Sequence, residues 1–508
     1  MNYIKIKNNQ SIPLDSIPVL DYIDFKNINI SYLSTKNSVS NTHCLNYFGF
    51  RHKDKLKLIC CIANDEEHNI YLNSCEINVA EPIDSFTAIN PAFHNFEREI
   101  TENFAVKYTD HPWLKPLRFA HNRADKAQTI ANYPFYKIEG EELHEVGVGP
   151  IHAGIIEPGH FRFICNGEQI MHLEIQLGFQ HRGIENLMLQ KKKLIEKITL
   201  AEFIAGDTVV GHTVAFARLW ESLTGFSADK ELQLARTIAL ELERIAIHTG
   251  DLSALCTDIA YQLGSSVLGR LRTPILNFFQ CWCGNRLAKG LVRPAYNKYP
   301  LSRELADELL RILDNYEPDF EEMLKVIITL PSALDRFEKT GIVTKEQATE
   351  IGTVGMAARM CGIARDIRYS HPDDIYLQLN HKPILKRHGD VYSRLQIRRE
   401  EIRQSIKYIR EMLKDITQTS IQHSTSNIQH STFNIQHSTF TISLVEGWRG
   451  EICHCAITDE NGELIIYKIK DPSFHNWLAL ALSVRNNEIS DFPVCNKSFN
   501  LSYCGNDL

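Results

Sequence analysis

The sequence predicts an α+β protein: a small N-terminal α/β domain, then a larger, mainly helical domain with short β-hairpins. Three observations predict it. Apolar runs of strand length dominate the first hundred residues, apolar stripes at helical spacing fill the middle, and two strand-length runs flank an Asn461-Gly462 turn near the end. At 508 residues the chain is long for one core, so two or more domains are expected. Hydrophobic residues make up 44% and charged residues 23%, a globular balance. A net charge of −7 with both signs interspersed gives no footing for nucleic acid.

The small domain is expected over 1–118. Residues 56–63 read as a strand, and 95–104 as a helix after the Asn90-Pro91 turn. A polar and aromatic linker, 119–148, leads to the larger domain, 149–508. There Leu232, Ala235, Ile238, Ala239, Leu242, Ile245 and Ala246 form the stripe of a helix capped by Asp229. A second helix starts at Glu304 and should stop near Glu317-Pro318, because the residue before proline disfavours α geometry. Thr344 and Gln347 form a capping box. Residues 393–416 form a long helix with Ile402, Ile406, Ile409 and Leu413 on one face. The seven residues from Ile421 recur at Ile428 and Ile435; this polar, β-branched repeat reads as a removable low-complexity insertion over 417–441. Strand 440–445 and a hairpin, 453–458 with 464–469, follow.

Among thirteen cysteines the close pairs are Cys60-Cys61, Cys281-Trp282-Cys283 and Cys453-His454-Cys455, none at C-x-x-C spacing. In a strand Cys453 and Cys455 face one side and His454 the other. They read as core cysteines of a reducing compartment. The first residues lack an apolar leader, and no apolar run approaches the ~18–20 residues that span a bilayer. The expectation is a cytoplasmic protein.

Several blocks in one order carry a resemblance. They are Gly149-Pro150-Ile151-His152 through Glu157-Pro158-Gly159-His160, then Gly178-Phe179-Gln180-His181-Arg182-Gly183-Ile184-Glu185, Leu240-Glu241-Leu242-Glu243-Arg244, Gly355 to Arg368, Trp448-Arg449-Gly450-Glu451 and Asp471-Pro472-Ser473. They resemble the large subunit of energy-converting (group 4) nickel–iron hydrogenases and the D-type subunit of NADH:quinone oxidoreductase. Glu97-Arg98-Glu99 with His111-Pro112 resembles the C-type (30 kDa-type) subunit of the same enzyme. The chain thus looks like a C-like domain fused to a D-like one.

The family patterns R-x-C-G-x-C-x-x-x-H and D-P-C-x-x-C place four metal-binding cysteines. Here those positions fall on Ala205, Thr208, Ser502 and Gly505. A soft nickel–iron centre needs thiolates, so the resemblance implies a homologue that has lost that centre. By the same resemblance Glu157 matches a proton gate, Glu185 a magnesium ligand, and His212 the histidine after the first cysteine pair. Asp207 adds a carboxylate in the vacated pocket, making Glu157, His212 and Asp207 a candidate proton relay. Inherited structural roles are the alternative. The histidine and tyrosine that hold quinone in the D-type subunit fall on Ile156 and Lys193.

The family implies an oxidoreductase complex at the inner face of the cell membrane that couples electron flow to ion movement. Its partners would be a small iron–sulfur (B-like) subunit, a ferredoxin-like subunit and membrane ion-pump subunits. No cofactor is expected in this chain itself. An iron–sulfur cluster would lie in a partner, with quinone or NAD(H) used by the whole complex. A redox-substrate-binding subunit and a non-catalytic scaffold remain alternatives. Hydrogenase large subunits carry a C-terminal tail that is cleaved after nickel loading. Here 500–507 is expected to run as a strand or turn beside 205–208, with Leu508 buried and C-terminal extensions poorly tolerated.

Overall fold

The computed structural model describes residues 2–33, 41–152, 154, 156–418 and 434–508. The chain opens with β1 (Ile4–Ile6), β2 (Ser11–Pro13), β3 (Val19–Leu20) and α1 (Tyr22–Leu33), then the meander β4 (Thr42–His52), β5 (Lys55–Asn64) and β6 (Asn69–Ile77). A short parallel pair, β7 (Ile83–Asp84) and β8 (Tyr108–Thr109), brackets α2 (His94–Phe104). β1, β6, β5 and β4 lie side by side, with β3 also on β6. This sheet is covered on both faces, which is why β5 reads as an unbroken apolar run. Cys61 and Ile59 face the C-terminal sheet, while Cys60, Leu58 and Ile62 face α2 and the aromatic cluster of Phe25, Phe86 and Phe93.

β9 (Leu143–Val148), β10 (His160–Asn166) and β11 (Gln169–Gln176) form a three-stranded sheet. The last residues of the stretch read as a linker are therefore a strand, β9, paired to β10. Helices α3 (Ile184–Gln190), α4 (Leu194–Ala201), α5 (Val209–Thr224), α6 (Lys230–Asp258), α7 (Gln262–Cys283) and α8 (Arg303–Ile327) follow. With the long helix Val391–Gln418, α5 to α8 build the main core, while α3 and α4 pack with one face of α5 in a smaller cluster that includes Tyr467, Ile469 and Leu508. β12 (Thr439–Glu446), β13 (Glu451–Thr458) and β14 (Leu464–Lys470) form the C-terminal sheet, which β2 completes by pairing with β12.

Asp229 caps α6 through Leu232 N–H, 2.8 Å, and Thr344 and Gln347 cap each other as the sequence implies. α8 does not stop at Pro318. It runs to Ile327 because Leu313, Tyr316, Phe320, Leu324 and Ile327 continue one buried stripe across the proline, and that packing outweighs the lost backbone bond. The first two copies of the seven-residue repeat lie largely outside the described residues. The third copy is not a free excursion. Gln436 N–H bonds to Leu223 O at 2.8 Å, Thr439 begins β12, and Phe440 is fully buried. Deleting through 441 would therefore cut into a strand and the core.

The Glu97-Arg98-Glu99 run is buried rather than a surface feature. Glu97 accepts from Phe86 N–H and from the Ser85 and Thr87 hydroxyls, while Glu99 meets Arg118 and Lys468. Residues 500–507 form a short helix, Tyr503–Asp507, in place of the expected strand or turn, with Ser502 as its cap. It docks on the Gly178–Glu185 block. Asp507 accepts from Gly178 N–H and Gln180 N–H at 2.9 Å, and Leu508, which is buried, accepts from Arg182 N–H and Gly183 N–H. Gly178 has φ +95°, and a Cβ there would strike Phe119.

Candidate functional site

The site lies where the start of α5, the β12–β13 turn and the terminal helix meet. Thr208 precedes α5 and offers no side-chain cap to it. The carboxylate of Glu243 on α6 takes that place, accepting from Val210 N–H at 2.7 Å and Gly211 N–H at 3.1 Å. Those two N–H groups are donors that the first turn of a helix leaves without an intrahelical partner. Burial raises Glu243 to about 8 against those two bonds, and Asp207 adds to the rise.

Arg449 fills the space beside Thr208. Its guanidinium holds both oxygens of Asp207 at 2.6 and 2.7 Å, the Thr208 hydroxyl at 2.9 Å and Asn500 O at 2.5 Å. It also stacks on Trp448, whose indole N–H bonds to Asp207 O. On the other side Ser502 Oγ accepts from Gly505 N–H at 2.9 Å. A Cβ on Gly505 would stand 2.8 Å from Asp471 Cγ and 2.9 Å from Ser502 Oγ.

These groups do not fit a nickel–iron centre. The four positions offer a methyl group, two hydroxyls and no side chain, and a cysteine at 505 would collide with Asp471. The nearby thiol of Cys504 is pushed up to about 11 by burial and by Glu157, so it stays protonated. Glu185 is likewise committed to protein partners: it accepts from Ile469 N–H at 2.8 Å and pairs with the Lys468 ammonium at 3.2 Å. The lysine supplies a positive charge beside it. Among the described residues no group of three His, Cys, Asp or Glu side chains is disposed to hold a metal ion.

The arrangement can carry protons. His212 is wholly buried between Asp471 Oδ2 at 3.0 Å and His454 Nε2 at 3.1 Å, and His454 Nδ1 meets the Tyr467 hydroxyl at 2.8 Å. One assignment of donors satisfies every contact. Tyr467 O–H donates to His454 Nδ1, His454 Nε2–H to His212 Nδ1, and His212 Nε2–H to Asp471. Burial alone would raise Asp471, but His212 and then Arg449 hold it below the usual carboxylate value. Burial, then His212, drives His454 well down, so it is neutral.

Glu157 approaches this row from outside, accepting from Cys504 N–H at 3.3 Å. Ser502 Oγ lies 3.5 Å from Cys504 Sγ and, like Asp471 Oδ2, 2.9 Å from the notional Gly505 Cβ. Of the three relay candidates, His212 is a member of the row, and Glu157 is bonded to the Cys504 backbone instead. Asp207 is not in the row; it is tied to Arg449, with its side chain 37% exposed. Sequence reasoning missed Asp471, His454, Tyr467, Arg449 and Glu243 as site residues. The signal for His454 was available, since strand alternation turns it away from Cys453 and Cys455, which face Asn46.

A second polar cluster joins the N-terminal sheet to β13. His43 lies 2.6 Å from Glu451 and 3.5 Å from Asp65; Lys470 binds Glu451, His371 lies near Asp65, and Arg365 faces the group. Burial works to lower His43, but the two carboxylates raise it net above 6.5. A raised imidazole contributes stability that is complete below its unfolded value and is lost as pH rises through its folded one. The melting temperature of wild type minus that of His43→Gln should therefore shrink as pH rises above about 6.5. A difference constant from pH 5 to 9 would show that folding does not shift His43.

Residues 264–507 match the family model described as the respiratory-chain NADH dehydrogenase 49 kDa subunit. Hydrogenase-4 component G of Escherichia coli is 25% identical over 78% of this chain and 67% of its own length. The carbon monoxide-induced hydrogenase of Rhodospirillum rubrum is 27% identical over 69% of this chain and 95% of its own. The fused C/D subunit of the NADH-quinone oxidoreductase of Phocaeicola vulgatus is 25% identical over 64% and 68%. No described helix is long and apolar enough to cross a membrane.

Proposed function

We propose, from the similarity of residues 264–507 to the respiratory-chain NADH dehydrogenase 49 kDa subunit and of the chain to hydrogenase components, that this protein is a peripheral member of a membrane-associated oxidoreductase complex whose former metal pocket handles protons in place of nickel. The observation that carries this reading is the head-to-tail row Tyr467–His454–His212–Asp471, buried beside a pocket that Arg449 fills. A buried row of alternating donors and acceptors passes a proton by shifting each one along. The packing around Thr208 and Gly505 favours a proton-linked coupling role over one that binds a quinone or another redox substrate there.

The electron carriers then belong to partners, an iron–sulfur protein above all. Ile151 at 84% exposure, Ile156 at 52% and Phe203 at 46% are apolar groups standing in solvent. Arg182 ties the Phe203 carbonyl to that of Cys504, beside Glu157, which places part of this apolar surface at the mouth of the site. Such a surface suits a permanent partner. Affinity purification of the tagged chain from detergent-solubilised membranes of its own host should bring down an iron–sulfur protein and membrane proteins in fixed ratio. Recovery of the chain alone, from the soluble fraction, would contradict the proposal.

A further inference from the structure

A cleft of about 820 Å³ opens between α2 with its following loop and the β10–β11 hairpin. That volume is typical of small-molecule sites. None of Asp207, Thr208, His212, Arg449 and Asp471 lines it.

Two buried polar groups in its wall have no hydrogen-bond partner among the described residues. They are Nδ1 of His94, a residue 5% exposed, and the indole N–H of Trp477, 4% exposed. An unpaired buried donor or acceptor is costly because it has given up water for nothing, and a ligand in the cleft would relieve both. His94 stacks on Trp113 with ring centroids 5.0 Å apart, so one wall is flat and aromatic. Met171, on β11, is half-exposed and faces the same space.

The charge of the lining is positive. Lys115 and Glu174 pair with each other. Arg98 donates to Lys115 O, Pro116 O and Asn95 Oδ1, all uncharged, and Arg485 reaches only the His172 ring at 3.4 Å. Among the described residues neither guanidinium is paired with a carboxylate. Glu350 is the other acid in the lining, so the three cations exceed the two anions by one.

We propose that this cleft binds a small planar aromatic anion: a flat conjugated ring carrying a carboxylate or a phosphate. The ring would lie along the Trp113–His94 wall. The anionic group would face Arg485 and Arg98, and an acceptor atom would take the Trp477 N–H.

The test uses calorimetric titration of the full chain with 2-naphthoate and adenosine monophosphate, beside the uncharged 2-naphthamide and adenosine. Three variants accompany it. Trp477→Phe keeps an aromatic, though smaller, ring and removes the N–H, Arg485→Gln removes the charge, and Met171→Trp fills the cleft from a half-exposed position. At least one anion should bind once per chain, about tenfold or more tighter than its uncharged counterpart. Binding should weaken about tenfold in Arg485→Gln and in Trp477→Phe, the scale of one charge-assisted bond, and vanish in Met171→Trp at unchanged melting temperature. Naphthoate alone binding would assign an aromatic acid, and the nucleotide alone a nucleotide. The proposal is overturned if neither anion saturates at millimolar concentration, if the uncharged forms bind equally well, or if Met171→Trp binds as wild type does.

Discussion

Asp471→Asn should lower the ion-coupled turnover of the assembled complex by about 10²–10⁴-fold, the usual weight of a positioned acid–base group. The carboxylate accepts from His212 Nε2–H and from Ser473 N–H at 2.8 Å. It thereby fixes the proton of His212 on Nε2 and leaves Nδ1 to accept from His454. An asparagine fits the same space and still accepts from Ser473. It cannot take up a proton, and its amide can donate to His212 and reverse the tautomer. The row would then hold two donors facing each other between His212 and His454. Turnover with an artificial electron acceptor and ion uptake into vesicles, both measured against pH, would check this. Full activity in both assays would dismiss the row as a proton path and leave it a structural feature.

Glu401→Gln should destabilise the protein by about 3–5 kcal/mol, as expected when a buried ion pair loses one partner. Glu401 is wholly buried and lies 2.7 Å from Arg359, 3.0 Å from Arg368 and 2.8 Å from His248. Three guanidiniums, of Arg244, Arg359 and Arg368, share this interior with the carboxylates of Glu241, Asp366, Glu401 and Glu446. Three of the acids balance the three cations. The fourth, Glu446, is raised to about 7 by burial and by Asp366, so it is half protonated near neutrality. A carboxyl raised by folding favours the folded state below its folded value and loses that advantage as pH climbs from about 4.5 through 7. Glu446→Gln, which removes the surplus acid, should accordingly cost far less than Glu401→Gln. Chemical denaturation at pH 7 would compare them, and equal losses would refute the charge count.

Local rules made much of the fold legible, and failures came where distant packing decided the outcome. Asp229 and Thr344 sit at helix starts because capping is settled within four residues. The hairpin around Asn461-Gly462 follows from its turn, and Gly462 has φ +80°. The stop expected at Pro318 failed because Phe320, Leu324 and Ile327 have a buried surface to join, which a window on the chain does not contain. β2 escaped notice because it has three residues and pairs with Phe440 and Thr441, more than four hundred positions away. At the site, the sequence pointed to Ala205, Thr208, Ser502, Gly505 and His212. It did not disclose that Arg449 would stand against Thr208, or that Asp471 would lie over Gly505. Those juxtapositions join the start of α5 to the β12–β13 turn, and the end of β14 to the terminal helix, and only the assembled core fixes them.

The central claim is that this pocket works without nickel, and elemental analysis of the complex purified from its own host tests it most directly. The account predicts far less than one nickel per chain and no hydrogen uptake, with iron confined to partner proteins. About one nickel per chain, with hydrogen uptake that Cys504→Ser abolishes, would contradict it.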